Sequence, residues 1–318
     1  MKPAKIQTAH LAAYKRVLKL MGNRFEFTVV ADNESWANEQ IDAAIAEVQR
    51  IEGLLTTFSE DSQTNHINRS AGIKPVKVDE EVFGLIARSL KISELTQGAF
   101  DITYGSIDKS LWNFDQSMTS LPSAEIAKQS VRLINYKNVI LNVAEQTVFL
   151  KEEGMRIGFG GIGKGYAADK AKAILQASGV ASGIVNAAGD LISWGTQPNK
   201  TPWTVAIADP DQSTVPFSKL NISGMAIATS GNYEKYVTIN GKKYSHTIDP
   251  TTGLPVSGIK SVSIISPSAE LSDAMATPVM VMGVKVGLDL INQLRHMACI
   301  IVDDHNKVHS SHNINIKN

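Results

Sequence analysis

The stretch Arg156-Ile-Gly-Phe-Gly-Gly-Ile-Gly-Lys-Gly-Tyr-Ala-Ala-Asp-Lys170 is the one around which the chain is organised. Gly158, Gly160, Gly161, Gly163 and Gly165 lead into a segment that reads as helix from Tyr166 to Ala177, with small residues at Ala167, Ala168, Ala171 and Ala173. Glycine allows a backbone to approach a ligand closely, and a helix N-terminus presents unpaired N–H groups to an anion. Lys164 adds a point charge suited to phosphate. One reading is a cradle for a phosphorylated ligand; the other is a tight strand-to-helix turn in which glycine serves backbone shape alone. The run is neither a clean dinucleotide fingerprint nor a P-loop, because Lys164 is followed by Gly165 and Tyr166.

Working outward, the segments on either side alternate between strand and helix signals. Arg24 to Ala31 reads as a strand, and Ser35 to Leu55 as an amphipathic helix with Ser35 as N-cap and Ile41, Ala44, Ile45, Val48, Ile51, Leu54 and Leu55 on one face. Thr56 to Ile73 reads as a polar loop, with His66 lacking a histidine or cysteine neighbour for a metal. Glu80 to Leu95 is a second helix. Asp101, beside Phe100, is either a nucleoside contact or a turn residue, and Leu111-Trp112-Asn113-Phe114 follows. Ser123 to Gln129 starts a helix, and Val139–Leu141 with Thr147–Leu150 forms a hairpin.

Beyond the glycine run, strands are expected at Gly183–Ile192 (running into a Gly-Asp turn), Trp203–Ala208, Met225–Ile239, Lys260–Ile265 and Ala298–Val302. Helices are expected at Ala269–Met282 and Val286–Leu294. Such a β-rich order with inserted helices and short hairpin links favours α+β over a doubly wound sheet.

Bulk properties exclude several function classes. Lys+Arg and Asp+Glu both number 31 in 318 residues, so no general electrostatic attraction to nucleic acid is expected. Cys299 lies in an apolar run and reads as core. No stretch reads as a membrane span, and Met1 to Leu20 lacks the apolar core of a secretory leader. The expectation is a chain that stays in the cytoplasm, or one whose export signal is missing from this sequence.

Two stretches could carry chemistry. Tyr244-Ser-His-Thr-Ile-Asp-Pro-Thr-Thr-Gly253 ends a strand in a turn, with His246 placed either for proton transfer or as a structural residue. In Glu270-Leu-Ser-Asp-Ala-Met-Ala-Thr-Pro278, Ser272 can cap a helix, and Asp273 and Thr277 at i and i+4 share a face. That pair is a hard-oxygen set suited to Mg²⁺; alternatively Asp273 only complements a helix dipole.

Taken in order, Gly160 to Asp169, Asn186-Ala-Ala-Gly-Asp190, Thr229-Ser-Gly-Asn-Tyr233, His246-Thr-Ile-Asp-Pro-Thr-Thr-Gly253 and Ser272-Asp-Ala-Met-Ala-Thr277 closely resemble the FAD:protein FMN transferases, the ApbE family. Met21-Gly22, the Thr57–Asn68 loop and Gly98-Ala99-Phe100-Asp101 extend the resemblance from about Val17 to Val302.

The resemblance implies an α+β, T-fold-like architecture of mixed, largely antiparallel sheets with packed helices, and an FAD cleft between two closely associated parts. It implies tails at 1–16 and 311–318 flanking a single domain at 17–310. It implies Mg²⁺-dependent transfer of FMN from FAD to a threonine or serine of an acceptor flavoprotein, a redox-pump or electron-transfer subunit, with release of AMP. The implied roles are Asp273, Thr277 and the Gly161 carbonyl on the metal, His246 as base, and Met21, Phe58, Ala99, Phe100, Asp101, Lys164 and Ile248 on FAD. Phe58 stands where a tyrosine is common, and Gly158 where many members have aspartate. An FAD pyrophosphatase and a non-catalytic FAD carrier are the alternatives. Most members work outside the cytoplasmic membrane without spanning it.

Overall fold

The computed structural model describes residues 10–111, 120–208, 216–231, 236–239 and 241–314. Trp112 to Phe114, Asn232 and Tyr233 lie outside the described residues. In chain order the helices are Glu34–Leu55 (α1), Gln63–Arg69 (α2), Glu80–Leu95 (α3), Ala124–Ser130 (α4), Gly163–Ala177 (α5) and Ala269–Gln293 (α6). The strands are Ala12–Leu20 (β1), Asn23–Ala31 (β2), Val76–Lys77 (β3), Val139–Asn142 (β4), Thr147–Leu150 (β5), Gly183–Ala187 (β6), Asp190–Trp194 (β7) and Thr204–Ala208 (β8). They continue with Pro216–Asn221 (β9), Ala226–Gly231 (β10), Tyr236–Ile239 (β11), Lys242–Ser245 (β12), Ile259–Ser266 (β13), Ala298–Asp303 (β14) and Val308–Ser310 (β15).

Eight strands form one sheet in the order β1-β2-β6-β7-β10-β13-β14-β15, each pair antiparallel. Helices α1, α5 and α6 lie against it, and their apolar stripes share one large core with Phe25, Phe27, Val185, Val262 and Ile264. A second apolar layer, including Trp203, Ile222, Ile227 and Ile300, is made with the β8–β9 hairpin. The small β3-β5-β4 sheet stands apart from the main one. The fold is therefore α+β with antiparallel sheets, as the order of elements predicts.

Several boundaries differ from the sequence reading, each for a local reason. Strand β1 begins inside the stretch placed in the tail, at Ala12, and runs on to Leu20: its exposed face carries Ala13, Lys15, Val17 and Lys19, so no clean apolar alternation announces it. Helix α1 is capped by Asn33, which accepts the Trp36 N–H at 2.9 Å, and not by Ser35. Within the polar 56–73 stretch, Ser62 caps the seven-residue α2, whose His66 is exposed. Gly183–Ile192 is a hairpin, turning at Ala188 and Gly189 with φ of 57° and 101°, and Asp190 opens the returning strand.

Helix α6 is the one described helix long and apolar enough, by length and composition, to cross a membrane. No such stretch was expected from the sequence. Gly283, at φ 81° and ψ 171°, breaks it near the middle, which matches the two helices read there. Its buried face packs on β10, β13 and β14, so the apolar surface is spent on the protein core.

Candidate active site

The glycine run forms the turn into α5, and its glycines do different work. A Cβ on Gly165 would overlap the Ala269 carbonyl and lie 2.8 Å from the Asp273 Cβ, so this glycine is what lets α5 and α6 touch. A Cβ on Gly161 would meet the Phe100 ring at 3.5 Å, and one on Gly163 would lie 3.6 Å from Met21 Cε. Gly158 and Gly160 have open space around them. Met21 and Phe100 therefore flank the turn that the sequence singled out.

The two helices cap one another. On α5, Asp169 accepts from the N–H groups of Ala269 (2.9 Å) and Glu270 (3.0 Å) and from the Ser268 hydroxyl (2.7 Å), at the start of α6. On α6, Asp273 accepts from the Gly165 N–H at 3.0 Å, in the first turn of α5. Each aspartate lies four residues beyond the glycine or alanine whose N–H its counterpart takes. Ser268 is the N-cap of α6; Ser272, expected in that role, instead pairs with the Ser266 hydroxyl at 2.9 Å.

This arrangement narrows what the glycine turn can offer an anion. The Gly163 N–H goes to the Phe159 carbonyl and the Gly165 N–H to Asp273, so two early amides of α5 are already engaged. Lys164 is not a bare charge either: its ammonium contacts Asp190 directly and stands 3.7 Å from Asp273 Oδ1. Burial opposes the lysine's charge, but the two carboxylates more than offset it and hold its pKa above the ordinary value. Burial pushes Asp273 up to about 7, against the attraction of Lys164 and with the repulsion of Asp190. One cation thus faces two buried carboxylates.

Thr277 lies one turn beyond Asp273 on the same face of α6, and its hydroxyl is 3.2 Å from that of Ser230 on β10. Asp273, Thr277 and the Gly161 carbonyl are all hard-oxygen donors, a set that suits Mg²⁺ completed by water and phosphate oxygens. Among the described residues no group of three or more His, Cys, Asp and Glu side chains forms a protein-only metal cage. A cation here would depend on hydroxyl, main-chain and substrate oxygens.

The other expected residues are placed as follows. His246 is exposed at the end of β12, and the neighbouring Thr247 hydroxyl contacts Met280 Sδ at 3.8 Å, which sets this segment beside α6 just past Thr277. Phe58 is 99% exposed on the loop before α2, whose backbone is pinned by Asn65 bonds to the Thr57 and Ser59 carbonyls. Ala99 and Phe100 are buried.

Asp101 takes the turn alternative: its carboxylate accepts the Thr103 N–H and hydroxyl and the Tyr136 N–H. Ile248 is buried with Ile107 and Val131, and its backbone N–H donates to the Tyr104 hydroxyl. Asp190, Asp169 and Ser230 belong to motifs the sequence displays, but their roles come from contacts with distant elements. A separate depression of about 330 Å³, lined by Ser106, Asp108, Gln129 and Arg132 among others, contains none of the expected FAD-contacting residues.

Comparison with known proteins identifies the family and the fold. The family model described as "ApbE family" matches residues 21–301. A FAD:protein FMN transferase from Klebsiella pneumoniae is 32% identical, the match covering 83% of this chain and 77% of that protein. Among solved structures, the ApbE protein of Thermotoga maritima is similar with a TM-score of 0.84 at 30% identity, covering 95% of this chain and 97% of that one. The apo flavinyl transferase ApbE of Pseudomonas stutzeri gives 0.82 at 26% identity, with 95% of each chain covered. The chain belongs to the ApbE family.

Proposed function

We propose that this ApbE family member is an FAD:protein FMN transferase: it moves the FMN half of FAD onto a hydroxyl of an acceptor protein and releases AMP. The observation that carries the reading is the charge and donor pattern around the start of α5, where the Asp190 and Asp273 carboxylates share the Lys164 ammonium and the Thr277 hydroxyl lies one turn beyond Asp273. Such a site draws a divalent cation first and a diphosphate with it. Asp273, Thr277 and the Gly161 carbonyl would hold Mg²⁺, which when bound neutralises charge developing on phosphate oxygens. Phe58, Met21, Ala99 and Phe100 would supply apolar surface for the flavin, with Lys164 toward the phosphates, Asp101 acting on FAD through the Phe100–Thr103 turn that it holds, and Ile248 through the turn it anchors. An aromatic ring as exposed as Phe58 suits stacking.

In the reaction the acceptor hydroxyl oxygen attacks the FMN phosphorus, the phosphorus–oxygen bond to AMP breaks, and the hydroxyl proton goes to His246. A threonine or serine hydroxyl is a weak nucleophile until a base takes that proton. The acceptor is a flavoprotein of the electron-transfer kind, modified on Thr or Ser. No spanning role in a membrane is assigned to the chain.

The test mixes the protein with FAD and Mg²⁺, with and without a purified acceptor domain, and follows AMP together with acceptor mass. AMP release coupled to one FMN gained by the acceptor supports the transferase. AMP and free FMN without any acceptor would make it a pyrophosphatase, and intact bound FAD in both tubes would make it a carrier.

A further inference from the structure

We infer that Asp190 is a positioning residue for metal loading: it holds the Lys164 ammonium away from Asp273, leaving an Asp273 oxygen open to a divalent cation. The inference rests on the metal site proposed above. Lys164 reaches both carboxylates from the first turn of α5, yet its direct contact is with Asp190, whereas 3.7 Å to Asp273 Oδ1 exceeds hydrogen-bond length.

Asp190 is itself fixed. It is the first residue of β7, directly after a two-residue turn whose φ values are both positive, it is 4% exposed, and its carboxylate takes the Thr229 N–H of β10. Asp273 has one oxygen, Oδ2, committed to the Gly165 N–H, so Oδ1 is the oxygen at stake. An ammonium only a quarter exposed is costly to leave unpaired. With Asp190 neutral, Asp273 becomes the remaining carboxylate in reach, and the ammonium occupies the oxygen that a cation would take. Asp190 thus separates two positive charges that would otherwise compete for one ligand.

The test titrates Mn²⁺ into the full chain without FAD, reading free Mn²⁺ by electron paramagnetic resonance. Asp190→Asn should weaken Mn²⁺ binding by roughly tenfold or more, in the range seen when groups supporting metal ligands are removed. Adding Lys164→Met to Asp190→Asn should restore binding toward the parental value, because the competing ammonium is gone. A purely structural Asp190 would not show this rescue, and the double variant leaves no lone buried lysine to unfold the protein. Parental affinity in Asp190→Asn, or a double variant as weak as the single one, overturns the inference. Asp273→Asn is the separate control: if it binds Mn²⁺ as the parent does, the metal site itself has been misplaced, whatever Asp190 does.

Discussion

Asp169 and Asp273 occupy equivalent places in the clamp between α5 and α6, and the contrast between them separates scaffold from chemistry. Asp169 gives its oxygens to three donors at the start of α6 and has no cation in its hydrogen-bond set. Asp273 gives one oxygen to the Gly165 N–H and keeps the other near Lys164, buried and beside a second carboxylate. A saturated carboxylate fixes geometry. A buried carboxylate with an uncommitted oxygen is poised to take a ligand. The same side chain in the same motif therefore does opposite work, and the neighbour that decides is Lys164 with its partner Asp190.

The comparison can be broken most sharply at Asp273. Asp273→Ala should lower the FMN transfer rate about a thousandfold, the several kcal/mol typical of lost metal assistance, while melting temperature falls no further than in Asp169→Ala. A rate within tenfold of the parent would dissolve the distinction between the two aspartates. His246 lies on the segment beside α6 just past Thr277, and as the proposed base its removal in His246→Ala should cost about a hundredfold in kcat, with FAD affinity by fluorescence unchanged. An unchanged rate of AMP release would remove it from the mechanism.

Gly165→Ala tests both ends at once. The added methyl meets the α6 backbone, not a flexible side chain, so about 3 kcal/mol of stability should be lost in chemical denaturation. Asp169→Ala should cost about 2 kcal/mol and a few degrees of melting temperature through the lost cap, with activity near parental at low temperature. A collapse of activity without a loss of stability there would make Asp169 a functional residue after all. Smallest of all, Cys299→Ser should leave transfer unchanged. The thiol is buried, and burial holds its pKa well above the ordinary value, so it should react with a thiol reagent only on unfolding.

What the sequence revealed and what it hid follow from the range of the interactions involved. Helix α3 was legible end to end because its apolar spacing and acidic first turn are local signals. The pairing of Asp273 with Thr277 was legible because i and i+4 geometry is fixed by the helix. Helix α2 was hidden because its anchor is distant: the Asn68 side chain bonds both the N–H and the carbonyl of Ile157. Likewise, five glycines look alike in a string, and only packing tells Gly165, which a side chain would destroy, from Gly158, which faces open space. The pairing of Lys164 was hidden because its two carboxylate partners come from β7 and α6, 26 and 109 positions on.

Helix α6 has a consequence for how the chain is handled before it folds. An 18-residue window with mean hydropathy of 1.5 is one that insertion machinery samples as a possible anchor. Three features of the same helix count against retention in lipid. The Gly283 break interrupts its hydrogen bonds, Lys285 costs about 3 kcal/mol in a bilayer, and Asp273 adds a second ionisable group. The residue proposed to hold the metal therefore also marks this segment as one to be released into water, where it can find its sheet.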